Sequence, residues 1–537
     1  MKILTAAQMA EVDRLTTERY KIPSLLLMES AGRFLTDELE KSARNLNRKR
    51  VLVFCGKGNN GGDGLVVARY LSLRGARPEI LMFGEPDKIR GDPLANWEIV
   101  RSLELPIHVL STAESSREFL RKLDPCDIVV DALFGTGLTK PVGGEFAEAV
   151  EWINRAAERG FVAAVDIPSG LFADSSEIPG PAVNANLTVT FSALKLALVV
   201  PPAADRAGKV VIAQIGSPPA LFENPDYKMN LIDGALARKA VPPRPRDSHK
   251  GSYGHLYVVA GSRGKSGAAL MTGLAALRSG AGLVTVCMPE SLQHDVVGKV
   301  PELMTESLPE TSEGTADLSA AEKVLGFLGQ ADALVIGPGM TTNDSTRELI
   351  RRLVHESPVP LVIDADGLNA FASRPQDLRN GKGQPLAITP HPGEMARLMA
   401  TTIGEVQKDR LKTARDFAQS QNCFVVLKGF QTVVAGPGGH VFINSTGNPG
   451  MATGGSGDIL SGIAGRFVAG WVRKCRGKDL LALAEHLSAA VYFHGLAGDL
   501  AKAEKGEESM IATDLLPYLP EAFKKSQRGK GVKDLSL

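Results

Sequence analysis

The sequence contains few cysteines, few aromatic residues and almost no net charge. Its five cysteines are scattered, and no two of them form a Cys-x-x-Cys pair. Such thiols exclude a disulfide framework and a zinc knuckle, and they are typical of a reducing compartment. The 61 Lys and Arg residues balance 60 Asp and Glu residues, which leaves a net charge of +1. Because no long-range field attracts DNA or RNA, nucleic acid is not an expected partner.

A long hydrophobic run is also missing from the start of the chain. Residues 1–9 hold no such run, and charges follow at Glu11, Asp13 and Arg14. We therefore expect no signal peptide, no transmembrane helix and no membrane partner, and a cytoplasmic location. The 537 residues, of which 44% are hydrophobic, are enough for two large domains with separate cores.

Short apolar runs, each followed by glycine and a helical pattern, recur along both halves. Runs of this length that are apolar on both faces are typical of parallel strands covered by helices. The alternation predicts an α/β fold in two domains, the first a Rossmann-like open sheet. The clearest predicted strands are Val51–Cys55, Glu79–Phe83, Asp127–Asp131, Phe161–Asp166, His255–Ala260, Leu283–Cys287, Ala333–Ile336, Leu361–Asp364 and Phe424–Leu427.

A proline-rich stretch separates the two halves. The first alternating series ends near Gly216, and the segment 241–246 carries three prolines. Neither a helix nor a central strand continues through such a segment, so it indicates a linker or a domain edge. We predict a break within 216–247, with domains at 1–220 and 228–525.

The first half places polar residues after three predicted strands. Gly56–Gly61 fits G-x-G-x-x-G, but the acid expected at the end of the second strand is not cleanly placed, since Glu79 begins that strand. Asp63 would also repel a pyrophosphate. Asp131 and Asp166 each stand at a strand end before a glycine-containing loop. Since ligands bind at the carboxyl ends of parallel strands, these loops predict one carboxylate-rich site. The alternative is a plain turn in which Asp63 caps the helix.

Three strings in this half resemble the YjeF N-terminal family, the NAD(P)H-hydrate epimerases. They are Gly58–Gly64, Asp131–Gly135 and Asp166–Gly170, within a resemblance that covers about residues 1–215. The resemblance implies that Asp166 is the catalytic acid/base, a role that suits a carboxylate. A potassium ion would be held by oxygens of Asn60, Asp131 and Ser169, which suit a hard cation. The implied contacts to the hydrated dinucleotide are Asn59, Asn60, Gly61, Gly62, Asp63, Gly135, Thr136, Gly137, Leu138, Thr139, Lys140, Pro141 and Asp166.

The second half holds a glycine-rich anion motif, Asn448–Asp458, before a predicted helix over Ile459–Phe467. Small residues expose backbone N–H groups at the helix start, where the helix dipole also favours an anion. Asp458 is placed to accept a proton from a hydroxyl beside a bound phosphate. The alternative is a turn that Asp458 caps. An earlier segment, Val259–Ser266, lacks the first glycine of a P-loop, so we interpret it as a strand-to-helix turn.

The Gly-Ser-Gly-Asp ending of this motif resembles the ribokinase-like superfamily. Four further strings are similar to the YjeF C-terminal family, the ADP- or ATP-dependent NAD(P)H-hydrate dehydratases: His249–Gly254, Gly337–Gly339, Asp364–Asn369 and Thr389–Glu394. The resemblance covers about residues 230–520. It implies a ribokinase-like doubly wound sheet, catalysis by Asp458, ADP as phosphoryl donor and Mg²⁺. The implied contacts to the hydrated dinucleotide are Ala268, Gly339, His391, Pro392, Gly393, Glu394, Met395, Ala396, Arg397 and Asp458. The implied contacts to ADP are Lys428, Gly429, Phe430, Gln431, Thr432, Asn448, Pro449, Gly450, Met451, Ala452, Thr453, Gly454, Gly455, Ser456 and Gly457.

Together the halves resemble a bifunctional NAD(P)H-hydrate repair enzyme, an isomerase joined to a lyase. The first domain would interconvert the R and S hydrates, NADHX and NADPHX. The second would phosphorylate the S hydrate with ADP and eliminate phosphate, which regenerates NADH or NADPH. A homo-oligomer is the expected assembly. One alternative is a hydroxymethylpyrimidine or thiazole kinase fused to a ligand-binding domain. Another is a regulatory sensor with a non-catalytic first half, although Asp131 and Asp166 favour catalysis.

Overall fold

A computed structural model describes residues 1–43 and 45–527. The chain divides into two compact units, with the border between Tyr227 and Lys228. This border lies within 216–247, and the proline-rich segment 241–246 belongs to the second unit. The first unit runs a few residues past 220, and Leu221 and Tyr227 are buried in one of its hydrophobic clusters.

The first unit is an open parallel sheet. Its helices are α1 (Ala6–Glu18), α2 (Ser24–Ala43), α3 (Asn59–Leu73), α4 (Asp92–Ser102), α5 (Ala113–Lys122) and α6 (Glu145–Ala157). Its strands are β1 (Arg50–Cys55), β2 (Arg77–Phe83), β3 (Ile107–Leu110), β4 (Ile128–Ala132), β5 (Phe161–Val165), β6 (Leu187–Phe191) and β7 (Lys209–Ala213). The strand order is β3-β2-β1-β4-β5-β6-β7, so the chain direction across the sheet reverses between β1 and β4.

Both faces of this sheet are buried, as the apolar runs require. Val51 and Val53 of β1 belong to one hydrophobic cluster, while Leu52 and Phe54 belong to another on the opposite face. Alternate residues of one strand therefore enter two separate helix-covered cores, which fixes the register of the strand.

The second unit is built on a ten-stranded mixed sheet. Its helices are α7 (Gly234–Lys239), α8 (Ser266–Arg278), α9 (Gln293–Val296), α10 (Ala321–Leu328), α11 (Asp344–Glu356), α12 (Asp366–Asn369), α13 (Pro392–Met399), α14 (Ile403–Lys408), α15 (Arg410–Ser420), α16 (Ser456–Cys475), α17 (Leu480–Lys505) and α18 (Leu515–Gln527). Its strands are β8 (Met229–Ile232), β9 (His255–Val259), β10 (Leu283–Pro289), β11 (Met304–Leu308), β12 (Ala333–Ile336), β13 (Leu361–Ile363), β14 (Leu386–Ile388), β15 (Phe424–Leu427), β16 (Val433–Ala435) and β17 (Val441–Asn444).

This sheet has the order β11-β10-β9-β12-β13-β14-β15-β16-β17-β8, with a reversal between β9 and β12. Its strands are parallel except that β16 runs antiparallel to β15 and β17. The predicted fold class, two α/β domains with open, doubly wound sheets, is confirmed. All nine predicted strands are present, each within two residues of its predicted ends.

Helix α17 is long and apolar enough to cross a membrane by length and composition alone. However, 72% of its apolar window is buried inside the protein. Leu487, Phe493 and Ala497 belong to the largest hydrophobic cluster of the second unit. The apolar character of α17 is therefore explained by its packing in the core.

The five cysteines are all free.

Candidate active sites

In the first unit, the carboxyl ends of β1, β4 and β5 open into a cavity of about 710 Å³. The cavity lies where the strand order reverses, the place where open α/β sheets bind ligands. Most of the predicted contacts line it: Asn59, Asn60, Asp63, Gly135, Thr136, Gly137, Leu138, Thr139, Lys140 and Asp166.

Gly61, Gly62 and Pro141 were also predicted as contacts, and they are not among the residues that line this cavity. A Cβ atom at Gly61 would lie 1.8 Å from the carbonyl oxygen of Gly56. Helix α3 begins at Asn59, so Gly61 and Gly62 belong to its first turn. The absence of a side chain at Gly61 lets this turn pack against Gly56. The N-cap residue of α3 is Gly58, and no side chain caps the helix. Asp63 lies inside the helix, so the alternative in which it is the cap is wrong.

Asp166 directly follows β5 and has a positive φ of 64°. Its Oδ1 accepts hydrogen bonds from Lys195 Nζ at 2.6 Å and from Thr190 Oγ1 at 2.9 Å. The Lys195 side chain is only 1% exposed, so this ion pair is shielded from water. Asp166 Oδ2 accepts no hydrogen bond from the residues that the structure describes, which leaves it available to a ligand in the cavity.

Two more carboxyl groups line the same cavity. Burial raises the pKa of Asp63 well above its usual value, and the charges of Asp166 and Asp13 add to the shift. Desolvation by the surrounding protein raises the pKa of Asp13 to about 6, although part of this side chain is open to solvent. The charge of Lys195 opposes this shift, and the charge of Asp166 adds to it. The cavity therefore combines a lysine-paired carboxylate with carboxyl groups that hold a proton more tightly than usual.

The three residues predicted to hold a cation lie around one loop. Ser169 Oγ donates to Asp131 Oδ1 at 2.6 Å, and the Ser169 N–H donates to Oδ2 at 2.8 Å. The Phe134 N–H donates to Ser169 Oγ at 2.9 Å. A Cβ atom at the next residue, Gly135, would lie 2.9 Å from Asn60 Oδ1. Burial raises the pKa of Asp131 to about 6, against the hydrogen bonds from Ser169.

In the second unit, the predicted residues gather where β13, β14 and β15 end and α16 begins. Lys428 Nζ contacts Asp364 Oδ1 at 2.7 Å, and Ser461 Oγ donates to Asp364 Oδ2 at 2.7 Å. A Cβ atom at Gly457 would lie 3.3 Å from Lys428 Nζ. The ammonium group therefore lies beside the first turn of α16, where free N–H groups already favour an anion.

Asp458 lies in that first turn and is half-buried. Burial raises its pKa to about 6; the charge of Asp364 adds to the shift and that of Lys428 opposes it. Across the described ranges, no group donates a hydrogen bond to the Asp458 carboxylate. The N-cap of α16 is Gly455, with a φ of 95° and no side-chain cap, so the alternative in which Asp458 caps this helix is wrong.

The predicted substrate loop is the start of α13. Its N-cap is His391: Nδ1 accepts from the Gly393 N–H at 3.0 Å, and Glu394 Oε2 accepts from the His391 N–H at 2.8 Å. Burial raises the pKa of Glu394, while Lys428, 3.7 Å away, opposes the shift. Pro392 is the first residue of the helix. Met395 and Ala396 are buried in the core, so a ligand contact there would come from backbone atoms.

Ala268, Gly339 and Arg397 complete the predicted dehydratase contacts. A Cβ atom at Gly339, whose φ is 66°, would lie 2.9 Å from the Ala268 Cβ. On the same helix as Ala268, Thr272 Oγ1 donates to the Asp458 carbonyl at 3.1 Å, which ties α8 to α16. Arg397 Nε donates to Asn369 Oδ1 at 3.0 Å. The loop after β12 therefore packs on α8, which contacts α16, and the segments that follow β13 and β14 contact each other.

The two segments predicted to bind ADP meet where Gly457 lies beside Lys428 Nζ. In the first segment, Thr432 Oγ1 donates to the Gly429 carbonyl at 3.1 Å, and the Asn444 N–H donates to the Thr432 carbonyl at 3.0 Å. Asn448 caps the short 3-10 helix Pro449–Met451 by accepting from the Gly450 N–H. Phe430 is 70% exposed, which is unusual for an aromatic ring. The remaining positions form the turns on either side: Gln431 after β15, and Ala452, Thr453, Gly454, Gly455, Ser456 and Gly457 at the start of α16.

Two family models match the chain. One, described as NAD(P)H-hydrate dehydratase, matches residues 256–521, and one described as YjeF-related protein N-terminus matches residues 24–197. A bifunctional NAD(P)H-hydrate repair enzyme from Moorella thermoacetica is 42% identical over 521 residues, which cover 97% of this chain and 96% of that protein. The chain belongs to the family of bifunctional NAD(P)H-hydrate repair enzymes.

Other members and solved structures are similar to parts or most of the chain. The Escherichia coli enzyme of this family is 35% identical, with 87% of this chain and 84% of that protein covered. An ADP/ATP-dependent NAD(P)H-hydrate dehydratase from Bacillus subtilis, co-crystallised with ATP/Mg2+, is 30% identical with a TM-score of 0.46, and covers 55% of this chain and 98% of its own.

Sequence reasoning missed several residues of both sites in this family member. Lys195 could have been found, because a lysine inside the apolar run 193–200 predicts a buried charge that needs a partner. Asp13, on the amphipathic α1, gave no such signal. Asp499 accepts from the Gly447 N–H and from Asn448 Nδ2, so it anchors the nucleotide motif. His494 contacts Ser456 from within the apolar α17.

Proposed function

We propose that this chain repairs hydrated NADH and NADPH in two steps. The first domain epimerises the R and S hydrates. The second domain dehydrates the S hydrate with ADP and regenerates the reduced dinucleotide. The observation that carries the proposal is the unpartnered Asp458 carboxylate beside Lys428 at the anion-binding start of α16. The domain limits 1–220 and 228–525, the homo-oligomer and the cytoplasmic location stay predictions.

For epimerisation, the hydrated ring must lose its hydroxyl and regain it from the other face. Asp63 and Asp13, which hold protons more tightly than ordinary carboxyl groups, are suited to protonate the departing hydroxyl. Asp166 Oδ2 is suited to take the proton from the returning water. Lys195 holds Asp166 in place through the hydrogen bond of 2.6 Å from Nζ to Oδ1.

For dehydration, the ring hydroxyl attacks the terminal phosphorus of ADP. Asp458 accepts the hydroxyl proton, the new O–P bond forms, and the bond from phosphorus to AMP breaks. Lys428 and the N–H groups of α16 stabilise the charge on the phosphoryl oxygens. The ring C–O bond then breaks with loss of phosphate, the neighbouring ring carbon gives up a proton to water, and the double bond of NADH or NADPH returns.

Magnesium would supply charge neutralisation on the donor phosphates. Within residues 1–43 and 45–527, no three His, Cys, Asp or Glu side chains come together as a metal site. This fits Mg²⁺, which often binds through nucleotide phosphates with one or two carboxylates. Asp366 accepts from the Thr341 N–H at 2.8 Å and from Asn369 Nδ2 at 3.1 Å, so its role is to tie the loop.

The recovery of reduced-ring absorbance tests the proposal. We expect hydrated NADH of pure S configuration to recover with ADP, and not without a nucleotide. The R epimer should recover at a rate that depends on the first domain. Accumulation of a stable phosphate ester would instead indicate a small-molecule kinase, and a chain that binds but does not turn over either epimer would indicate a sensor. Parallel reactions with ATP determine the donor.

Potassium is proposed to bind at Asn60, Asp131 and Ser169. These residues fit because they offer one carboxylate and two neutral oxygens, too little charge for Ca²⁺. A Cβ atom at Gly135 would lie 2.9 Å from Asn60 Oδ1, so this oxygen faces the loop to which Ser169 is hydrogen-bonded. A cation would also keep the buried Asp131 ionised.

We expect potassium to stabilise the protein through this site. A site with a dissociation constant of about 1 mM would gain about 2.7 kcal/mol at about 100 mM K⁺, by mass action. Thermal unfolding in potassium chloride and in choline chloride measures the gain. Ser169→Ala should reduce it, whereas Ser111→Ala, at an exposed serine of the same unit, should not. Equal melting temperatures of the unsubstituted protein in both salts would contradict the potassium site.

A further inference from the structure

A second cavity of about 380 Å³ lies in the second unit, away from the nucleotide motif. It is formed by residues just before β9 and β10, among them Tyr253 and Gly280, together with the second half of α16. It therefore lies at the amino ends of these strands, opposite the edge that carries Asp458. Arg466 is also about 12 Å further along α16 than Asp458, at 1.5 Å per residue.

The cavity is strongly basic. Five cationic side chains line it and no Asp or Glu does: Arg244, Arg278, Arg466, Arg473 and Lys474. Two of them are already engaged, because Arg473 Nε pairs with Asp332 at 2.7 Å and Lys474 Nζ donates to the Lys239 carbonyl. The other three have no acidic partner among the described residues.

Arg466 is the buried cation of this cavity. It is 8% exposed, and its Nε is buried without a hydrogen-bond partner across the described chain. Its guanidinium carbon lies 4.6 Å from the ring centroid of its neighbour Phe467, and no acidic group of the described residues pairs with it. Desolvation lowers its pKa to about 10, and the charge of Arg244 adds to the shift. A buried, unpaired guanidinium beside a second one is costly unless an anion compensates it.

The rest of the lining fits an anion with hydrogen-bond acceptors. Arg244 stacks on Tyr253, 3.8 Å from the ring centroid, and donates to the Gly280 carbonyl at 2.9 Å, so its position is fixed. A Cβ atom at Gly280 would lie 2.5 Å from Arg244 Nη2 and 3.7 Å from Arg466 Nε, so glycine leaves this space open. Ser279 Oγ is a further buried group without a partner in the described ranges.

We propose that this cavity is a second anion site that binds a phosphate group, held between Arg466 and Arg244 with Ser279 as a further donor. Planar guanidinium groups bind phosphate oxygens in pairs, which suits two adjacent arginines. The phosphate is either the free ion or part of a small phosphorylated metabolite. The site is independent of the proposed chemistry at Asp458.

Calorimetric titration of the full chain in a chloride-free buffer tests the site, with inorganic phosphate and ribose 5-phosphate as probes. Arg466→Met should weaken binding of the preferred probe roughly 10- to 100-fold, the loss of a hydrogen bond to a charged group. Arg415→Met, at a half-exposed arginine of the same unit, should leave it unchanged. Tighter binding of phosphate identifies the free ion as the ligand, and tighter binding of the sugar phosphate identifies a metabolite.

Thermal unfolding gives a second readout. Without phosphate, Arg466→Met should unfold at the same temperature as the unsubstituted protein or higher, because it removes an uncompensated buried charge. Phosphate should raise the unfolding temperature of the unsubstituted protein only. If Arg466→Met is less stable and still responds to phosphate, or binds both probes as tightly as before, Arg466 has only a packing role and the proposal fails. Turnover of the S hydrate by this variant should persist in either case.

Discussion

Asp458→Asn is expected to lose dehydratase turnover by a factor of about 10²–10⁴, the usual contribution of a general base. Asparagine keeps the shape of the side chain but cannot accept the hydroxyl proton. The carboxylate has no donor partner in the described chain and does not cap α16, so the substitution breaks no hydrogen bond. Nucleotide affinity should be kept or improved, because a negative charge near the phosphates is removed.

Rates with the S hydrate and ADP, together with calorimetric titration of ADP, measure both effects. Asp344→Asn is the matched control, since Asp344 is an exposed acid of the same unit that pairs, within the described part of the chain, only with Arg347. Epimerase activity should stay unchanged in both variants. Normal turnover by Asp458→Asn would show that another group is the base. Loss of ADP binding would show that Asp458 serves the structure of the anion motif.

The kcat/KM of the dehydratase should depend on pH through the ionisation of Asp458. Burial and the charge of Asp364 raise the pKa of Asp458 to about 6. The base must be ionised, so kcat/KM should be constant above this pH and fall about tenfold per unit below it. We compare this pKa with the pH dependence of kcat/KM, because kcat/KM reports the ionisation of groups in the unliganded protein. A flat profile down to pH 5 would contradict the assignment.

Asp166→Asn is expected to show the opposite selectivity, losing epimerase activity by about 10²–10⁴-fold and leaving turnover of the S hydrate unchanged. The physical reason is the same, loss of a proton acceptor at a fixed place. Asp174→Asn is the control, because among the described residues this exposed carboxylate of the same unit accepts a hydrogen bond only from the Ala6 N–H. Exchange between the pure epimers, followed by chromatography, measures the rate.

Lys195→Met separates positioning from catalysis at the same site. Lys195 Nζ donates to Asp166 Oδ1 and is fully buried, so Lys195→Met removes the counter-charge of the proposed catalytic carboxylate. We expect epimerase activity to fall, and Lys195→Arg, which keeps the positive charge, to retain more of it. Equal losses in the two variants would indicate a merely structural role for Lys195 and would contradict this interpretation.

The sequence by itself determined the fold class, most of the strands and the polar residues that follow them. Apolar runs such as Val51–Cys55 predict buried parallel strands because both faces of such a sheet are covered. Asp131, Asp166 and Asp458 could be singled out because a carboxylate at the end of an element, next to a loop that contains glycine, is a local pattern. The family resemblance then supplied the roles expected of them.

Only the tertiary structure decided which side chains meet those residues and what their charges become. Lys195 lies 29 positions from Asp166, and Lys428 lies 64 positions from Asp364. Local patterns carry no information about such pairs, because strand order and packing bring them together. The same holds for burial, which raises the pKa of Asp458, and for the cavity that leaves Arg466 without a partner. Desolvation and Coulomb energies depend on the whole surroundings of a group in space, not on its neighbours in the chain.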